Sequence, residues 1–114
     1  HAESDQEAFL VLSGECRLLV EDAERLLRQW DFFHSPPGTE HIFVGAGDGP
    51  CAILMTGARG SDDWWVLYPV SELAARHGAS AQEETSDQKQ AYAGFEWFKR
   101  ERPSYWERLP WARA

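Results

Sequence analysis

Groups that bind metal ions recur at alternate positions at the start of the chain, in HAESDQEAFLVLSG from His1 to Gly14. In an extended strand successive side chains point to opposite faces, so His1, Glu3, Asp5, Glu7, Phe9 and Val11 share one surface. That surface begins with imidazole and carboxylates and ends apolar. A strand that buries this face cannot cheaply bury lone carboxylates with it, because desolvating an unpaired charge is expensive. A divalent cation is the group that would neutralise them, which makes His1, Glu3 and Glu7 candidate ligands. A second stretch, HSPPGTEHIFVG from His34 to Gly45, brings a further imidazole, His41, beyond a proline-glycine turn.

The elements that must position these groups read as short strands. Glu7–Leu12 alternates around Phe and Val and is broken by Ser13 and Gly14. Cys16–Val20 is a second strand, EDAER from Glu21 to Arg25 a polar turn, and Leu26–Gln29 a third strand. Trp30 and Asp31 mark a turn, Phe32–Ser35 a fourth strand, and Pro36, Pro37 and Gly38 a hard stop. Glu40–Gly45 follows, and then Cys51–Gly57, an apolar run expected to be buried on both faces or central in a sheet. Strands arriving every 8 to 12 residues or so predict an antiparallel sandwich or barrel.

Beyond Gly60 the pattern changes. Trp64–Tyr68 reads as one last strand, Ser71 as the cap of a short helix, ELAARH, closed by Gly78, and Asp87–Ala93 as a second helix with Thr85 and Gln88 spaced as a capping box. The tail carries Phe95, Trp97, Phe98, Tyr105, Trp106 and Trp111, too many aromatics to leave in water. It is expected to pack on the barrel or on a second subunit.

The chain has 114 residues, 43% of them hydrophobic, which suits a single globular domain. With 11 Lys plus Arg against 19 Asp plus Glu, the net charge of −8 disfavours nucleic acid and anionic lipid as partners. No apolar run approaches the roughly 20 residues that span a bilayer, and a cytoplasmic location is expected. Cys16 and Cys51 have no metal-binding spacing and read as buried free thiols. No serine or cysteine nucleophile with a base partner stands out, so no catalytic residue is assigned.

The two stretches together resemble the paired motifs of the cupin superfamily. The first motif runs His, one residue, His, three or four residues, Glu, six residues, Gly. His1, Glu3, Glu7 and Gly14 stand at those places, with Glu3 replacing the second His. The second runs Gly, five residues, Pro, one residue, Gly, two residues, His, three residues, Asn. Trp30, Pro36, Gly38, His41 and Gly45 stand there, so the first and last positions are replaced. The match covers about residues 1 to 57.

The resemblance implies an all-β jelly-roll barrel, the double-stranded β-helix, over residues 1–68, followed by a partly helical C-terminal arm over 69–114. It implies that His1, Glu3, Glu7 and His41 converge on one divalent metal, with Fe, Mn, Ni and Zn all chemically acceptable. Phe9, Val11 and Phe43 would line the pocket. The implied function is a metal-dependent enzyme on a small polar organic molecule, dioxygenase- or isomerase-like; the alternative is a non-catalytic binding or sensing module, with or without metal. Only six or seven strands are visible, so the earliest strands are expected before His1 or from a partner, and a homodimer follows from the open edge that their lack would leave. His34 reads as solvated, His77 as a surface residue near a helix end, and Asp31 as turn chemistry.

Overall fold

The computed structural model describes residues 1–60, 62–109 and 111–112; position 61 of the expected barrel and positions 110, 113 and 114 of the expected arm lie outside them. The described chain is mostly β. In order come β1 (Ala2–Glu3), β2 (Glu7–Ser13), β3 (Glu15–Val20), β4 (Ala23–Leu27), β5 (Phe32–Ser35), β6 (His41–Ala46), β7 (Ala52–Gly57) and β8 (Val66–Leu67). Two four-residue helices follow, α1 (Glu72–Ala75) and α2 (Gln88–Ala91), and then a 3-10 turn at Trp106–Arg108. No helix of the described residues is long and apolar enough to cross a membrane.

Every strand pairing is antiparallel. One sheet has the order β5-β2-β7, a second β4-β3-β6, and β1 pairs with β8 in a two-stranded sheet. The chain crosses between the first two at Gly14, whose φ of +78° is a conformation that residues with a Cβ rarely adopt. A Cβ there would also sit 2.4 Å from the Pro50 carbonyl oxygen. A register shift between Val11 and Ser13 against β7 adds to the bend.

Strand alternation sets what faces inward. Phe9 and Val11 of β2 and Cys16 and Leu18 of β3 are buried. Phe9 stacks on Phe33 of its own sheet at 5.9 Å and meets Phe43 of the other at 4.7 Å between ring centroids. Each such side chain contributes about 1.5–3 kcal/mol on full burial. That apolar block can therefore carry a few polar groups at one end.

Three local expectations are corrected. The polar run at residues 21–25 is mostly strand, not turn: only Glu21 and Asp22 make the reversal, Val20 pairs with Ala23, and β4 ends at Leu27 rather than running from Leu26 to Gln29. Its polar residues are tolerated because β4 is a sheet edge, where Glu24 pairs with Arg17. The apolar β7 is also an edge strand, with Leu54 and Met55 49% and 59% exposed, so it is neither central nor buried on both faces. The second helix is capped by Asp87, whose carboxylate accepts from the Lys89 N–H, while the Thr85 backbone bridges Tyr68.

The first helix is capped by Ser71 as expected, and Gly78 beyond it has a φ of +65°. Tail aromatics divide. Tyr105, Trp106 and Trp111 line a hollow with Leu12, Cys51 and Ile53, whereas Phe95, Trp97 and Phe98 are largely exposed.

Candidate metal centre

The site is built on a turn. Pro36, Pro37, Gly38 and Thr39 reverse the chain between β5 and β6, with Thr39 N–H donating to the Pro36 carbonyl at 3.2 Å and Gly38 at φ +77° in the position that a type II turn reserves for glycine. The reversal brings Ser35 and His41 together. His41 Nδ1 lies 3.0 Å from the Thr39 carbonyl and 3.2 Å from Ser35 Oγ. A carbonyl oxygen can only accept, so Nδ1 carries the proton and the lone pair of the neutral ring sits on Nε2.

A carboxylate lies close to that nitrogen, off its in-plane axis. His41 Nε2 is 3.1 Å from Glu7 Oε2, yet the contact is not a hydrogen bond, and Nε2 is buried without a hydrogen-bond partner. His1 Nε2 approaches the same oxygen at 3.3 Å. The His41 side chain is 2% exposed and that of Glu7 12%. Burial holds the His41 pKa below the ordinary imidazole value, against the opposing pull of the Thr39 hydrogen bond and the Glu7 charge. Two acceptor atoms thus lie close together in a largely buried setting, an arrangement that a positive charge near both would relieve.

Glu7 arrives from β2 opposite Ser35 of β5, and His41 opens β6. His1 is placed by backbone pairing across the gap: its carbonyl accepts from His41 N–H at 2.9 Å and its nitrogen donates to the His41 carbonyl at 3.0 Å. This reciprocal exchange is the narrow pair of an antiparallel ladder. On its far side β1 is held by β8, with Ala2 opposite Leu67. The imidazoles lie 4.8 Å apart between centroids, and Phe9 and Phe33 pack edge-on against His41 at 5.1 and 5.8 Å.

One ligand atom from each of His1, Glu7 and His41 lies within 4.8 Å of the others, and among the described residues this is the group able to hold a metal ion. Atoms bound at about 2.0–2.2 Å to a common ion lie about 3–3.5 Å apart, which the 3.1 and 3.3 Å separations match. Two nitrogens and one carboxylate, with His41 locked by a second partner on Nδ1, are a donor set that suits a divalent first-row ion.

Glu3 stands beside this group rather than in it. Its carboxylate is buried and lies 3.4 Å from Arg59 Nη1. Burial raises its pKa, the nearby Glu7 and Asp5 charges push the same way, and Arg59 opposes them. The chain bends at Ser4 and Asp5 between β1 and β2, which separates Glu3 from the face that an unbroken strand would give it. Phe9 and Val11 are buried between the sheets, and Phe43 packs against Phe9 there at 4.7 Å between ring centroids. His34 is exposed against Gln6, His77 pairs with Glu24 at 3.0 Å, and Asp31 accepts from Arg28 N–H in its turn.

Sequence reasoning missed Ser35, Thr39 and Arg59. Ser35 was reachable, since it shares strand parity with inward-facing Phe33. Thr39 acts through its carbonyl and Arg59 through a loop contact, and neither leaves a trace in residue type.

Comparison with known proteins agrees with this geometry. The family model described as Cupin domain matches residues 1–57, which hold Glu7, His41 and the turn between β5 and β6. Neither a curated protein nor a solved structure matches the chain. With half of its length matched and its two motif stretches folded around one constellation, the chain belongs to the cupin family.

Proposed function

We propose that the protein binds a divalent metal ion through His1, Glu7 and His41 and uses it as a metal-dependent enzyme on a small polar organic molecule, dioxygenase- or isomerase-like. The observation that carries this reading is the clustering of His1, Glu7 and His41, with His41 Nε2 buried, 3.1 Å from the Glu7 carboxylate and without a hydrogen-bond partner. When bound, Fe, Mn, Ni or Zn would supply Lewis-acid charge to polarise an oxygen of the substrate. The chain's own residues do the rest. Thr39 and Ser35 hold the His41 ring, Phe9 and Phe33 keep water from it, and Glu7 is placed to hold or move a proton at its carboxylate. Glu3, balanced by Arg59, sets the charge beside the ion without binding it.

In this reading residues 1–68 form the barrel and 69–114 the arm. Two copies associate through the open edge of β7, where Leu54 and Met55 are exposed. The competing reading is a binding or sensing module without turnover. It is favoured by the His1–Glu7 contact at 3.3 Å, which is also a sufficient structural ion pair when His1 is protonated.

Metal analysis of the purified protein tests the first reading. Stoichiometric divalent metal in the wild type, lost in Glu7→Gln and His41→Ala with the far-ultraviolet circular dichroism unchanged, is the expected result. Metal retained in both variants would refute the assignment. Turnover of a metabolite panel by the loaded protein separates enzyme from sensor.

A further inference from the structure

A cavity of about 420 Å³ lies between one wall of the sheet β4-β3-β6 and the segment that follows β8. Its sheet side is made by Leu19, Ile42 and Val44, whose strand parity is opposite to that of inward-facing Leu18 and Phe43. Its other side is made by Pro69, Ala74 and the rings of Tyr68, Tyr92 and Phe95. The volume suits a small molecule. It shares His1 and His41 with the metal centre but otherwise lies outside the sandwich interior.

We infer that this cavity binds a small organic cation, an ammonium group carried on an apolar body. The rings are linked edge to face, Tyr68 to Tyr92 at 5.8 Å and Tyr92 to Phe95 at 6.2 Å, and aromatic faces attract cations. Tyr68 is 8% exposed and lines the cavity, which sets its ring and hydroxyl where a ligand could meet them.

The charges point the same way. Glu21 and Glu40 line the cavity one rung beyond the pair Val20 and His41, with Glu21 N–H donating to the Glu40 carbonyl at 2.9 Å. The Glu21 carboxylate accepts from the Glu40 N–H at 2.9 Å, and the two acids still place like charges at one end of the cavity. Among the described residues no Lys or Arg lines the cavity. An ammonium group there lowers the repulsion, and an anion of the same size raises it. The net charge of −8 favours the approach of cations over long range as well.

Because the cavity shares His1 and His41 with the proposed metal centre, its test uses the full chain after treatment with EDTA, which separates cation binding from metal binding. The probes are 2-phenylethylammonium and 3-phenylpropionate, alike in size and opposite in charge, titrated while amide and ring resonances are followed by NMR. Saturable shifts at Tyr68, Tyr92 and Glu40 with the ammonium, and none with the carboxylate, are the expected result. Glu40→Gln should weaken ammonium binding about tenfold, and Tyr68→Phe, which keeps the ring, about fivefold. Thermal unfolding of both variants should match the wild type. Equal binding of the two probes, no saturable ammonium signal, or wild-type affinity in both variants would overturn the inference. Ammonium binding that appears only after metal is restored would overturn it too, while leaving the metal centre intact.

Discussion

The two ends of the sandwich interior bury titratable side chains to opposite effect. At one end His41, Glu7 and His1 converge with their acceptor atoms toward one point. At the other Cys16 is fully buried, and burial, reinforced by the neighbouring Cys51, pushes its pKa up to about 12. Desolvation disfavours the charged form in both places. For an imidazole that form is the cation, so burial exposes a lone pair and makes a ligand. For a thiol it is the anion, so burial keeps the proton and makes an inert hydrophobe. The same environment therefore yields a candidate metal ligand from one residue type and plain packing from the other.

The contrast is broken most directly at His41. Replacing it by Ala, or Glu7 by Gln, should weaken metal binding by more than about 100-fold, beyond what loss of an outer partner costs, read by competition with a chelating dye. The pH at which the wild type releases metal sharpens the point. A lowered His41 pKa means that protons compete for Nε2 only below the ordinary imidazole value of 6.5, so the ion should survive mild acid and leave below that value. The linked stability runs the same way in the metal-free protein: it is intact above that value and falls as pH drops through the depressed pKa.

Cys16→Ser tests the opposite end. A hydroxyl in that apolar setting should cost about 1–3 kcal/mol in urea unfolding, with metal affinity unchanged. In the wild type, iodoacetamide at about pH 8 should spare Cys16, whose thiolate is scarce there, and label the half-buried Cys51 faster. Ser35→Ala, which removes one of the two partners of His41 Nδ1, should lower metal affinity by about tenfold, since the Thr39 carbonyl still holds the ring.

The smallest effect is expected at Arg59. Its replacement by Ala leaves the buried Glu3 carboxylate without its cation. Because Arg59 itself is two-thirds exposed and solvent screens the pair, the cost should be about 0.5–1 kcal/mol. The Glu3 pKa is raised, so its unfavourable contribution is absent in acid, where the group is protonated in both states, and grows as pH rises. The variant should match the wild type near pH 4 or so and fall below it at neutral pH.

Much of this was legible before the structure. The alternation read over Glu7–Leu12 and Glu40–Gly45 places Phe9, Val11, Glu7 and His41, and the Pro-Pro-Gly run announces the turn that aims His41. β4 was obscured because Glu24 and Arg25 carry turn-like composition into an edge strand, where pairing overrides local preference. The apolar sequence of β7 suggested burial, but hydrophobicity does not report which strands have a neighbour on both sides. The departure of Glu3 from the ligand group was hidden for a different reason. It depends on a bend at Ser4 and Asp5 and on a loop Arg more than fifty residues away, and no local pattern encodes either.

His1 owes its place to β8 as much as to its own neighbours, since β1 is gripped between the start of β6 and Val66–Leu67. A chain emerging from the ribosome therefore carries two of its ligands in place as soon as β2 and β6 have met, but cannot complete the trio until Leu67 has been made. If the trio holds an ion as proposed, its loading is a late event in biosynthesis, and any lesion that frays the short β8 should reach the site without touching one of its three residues.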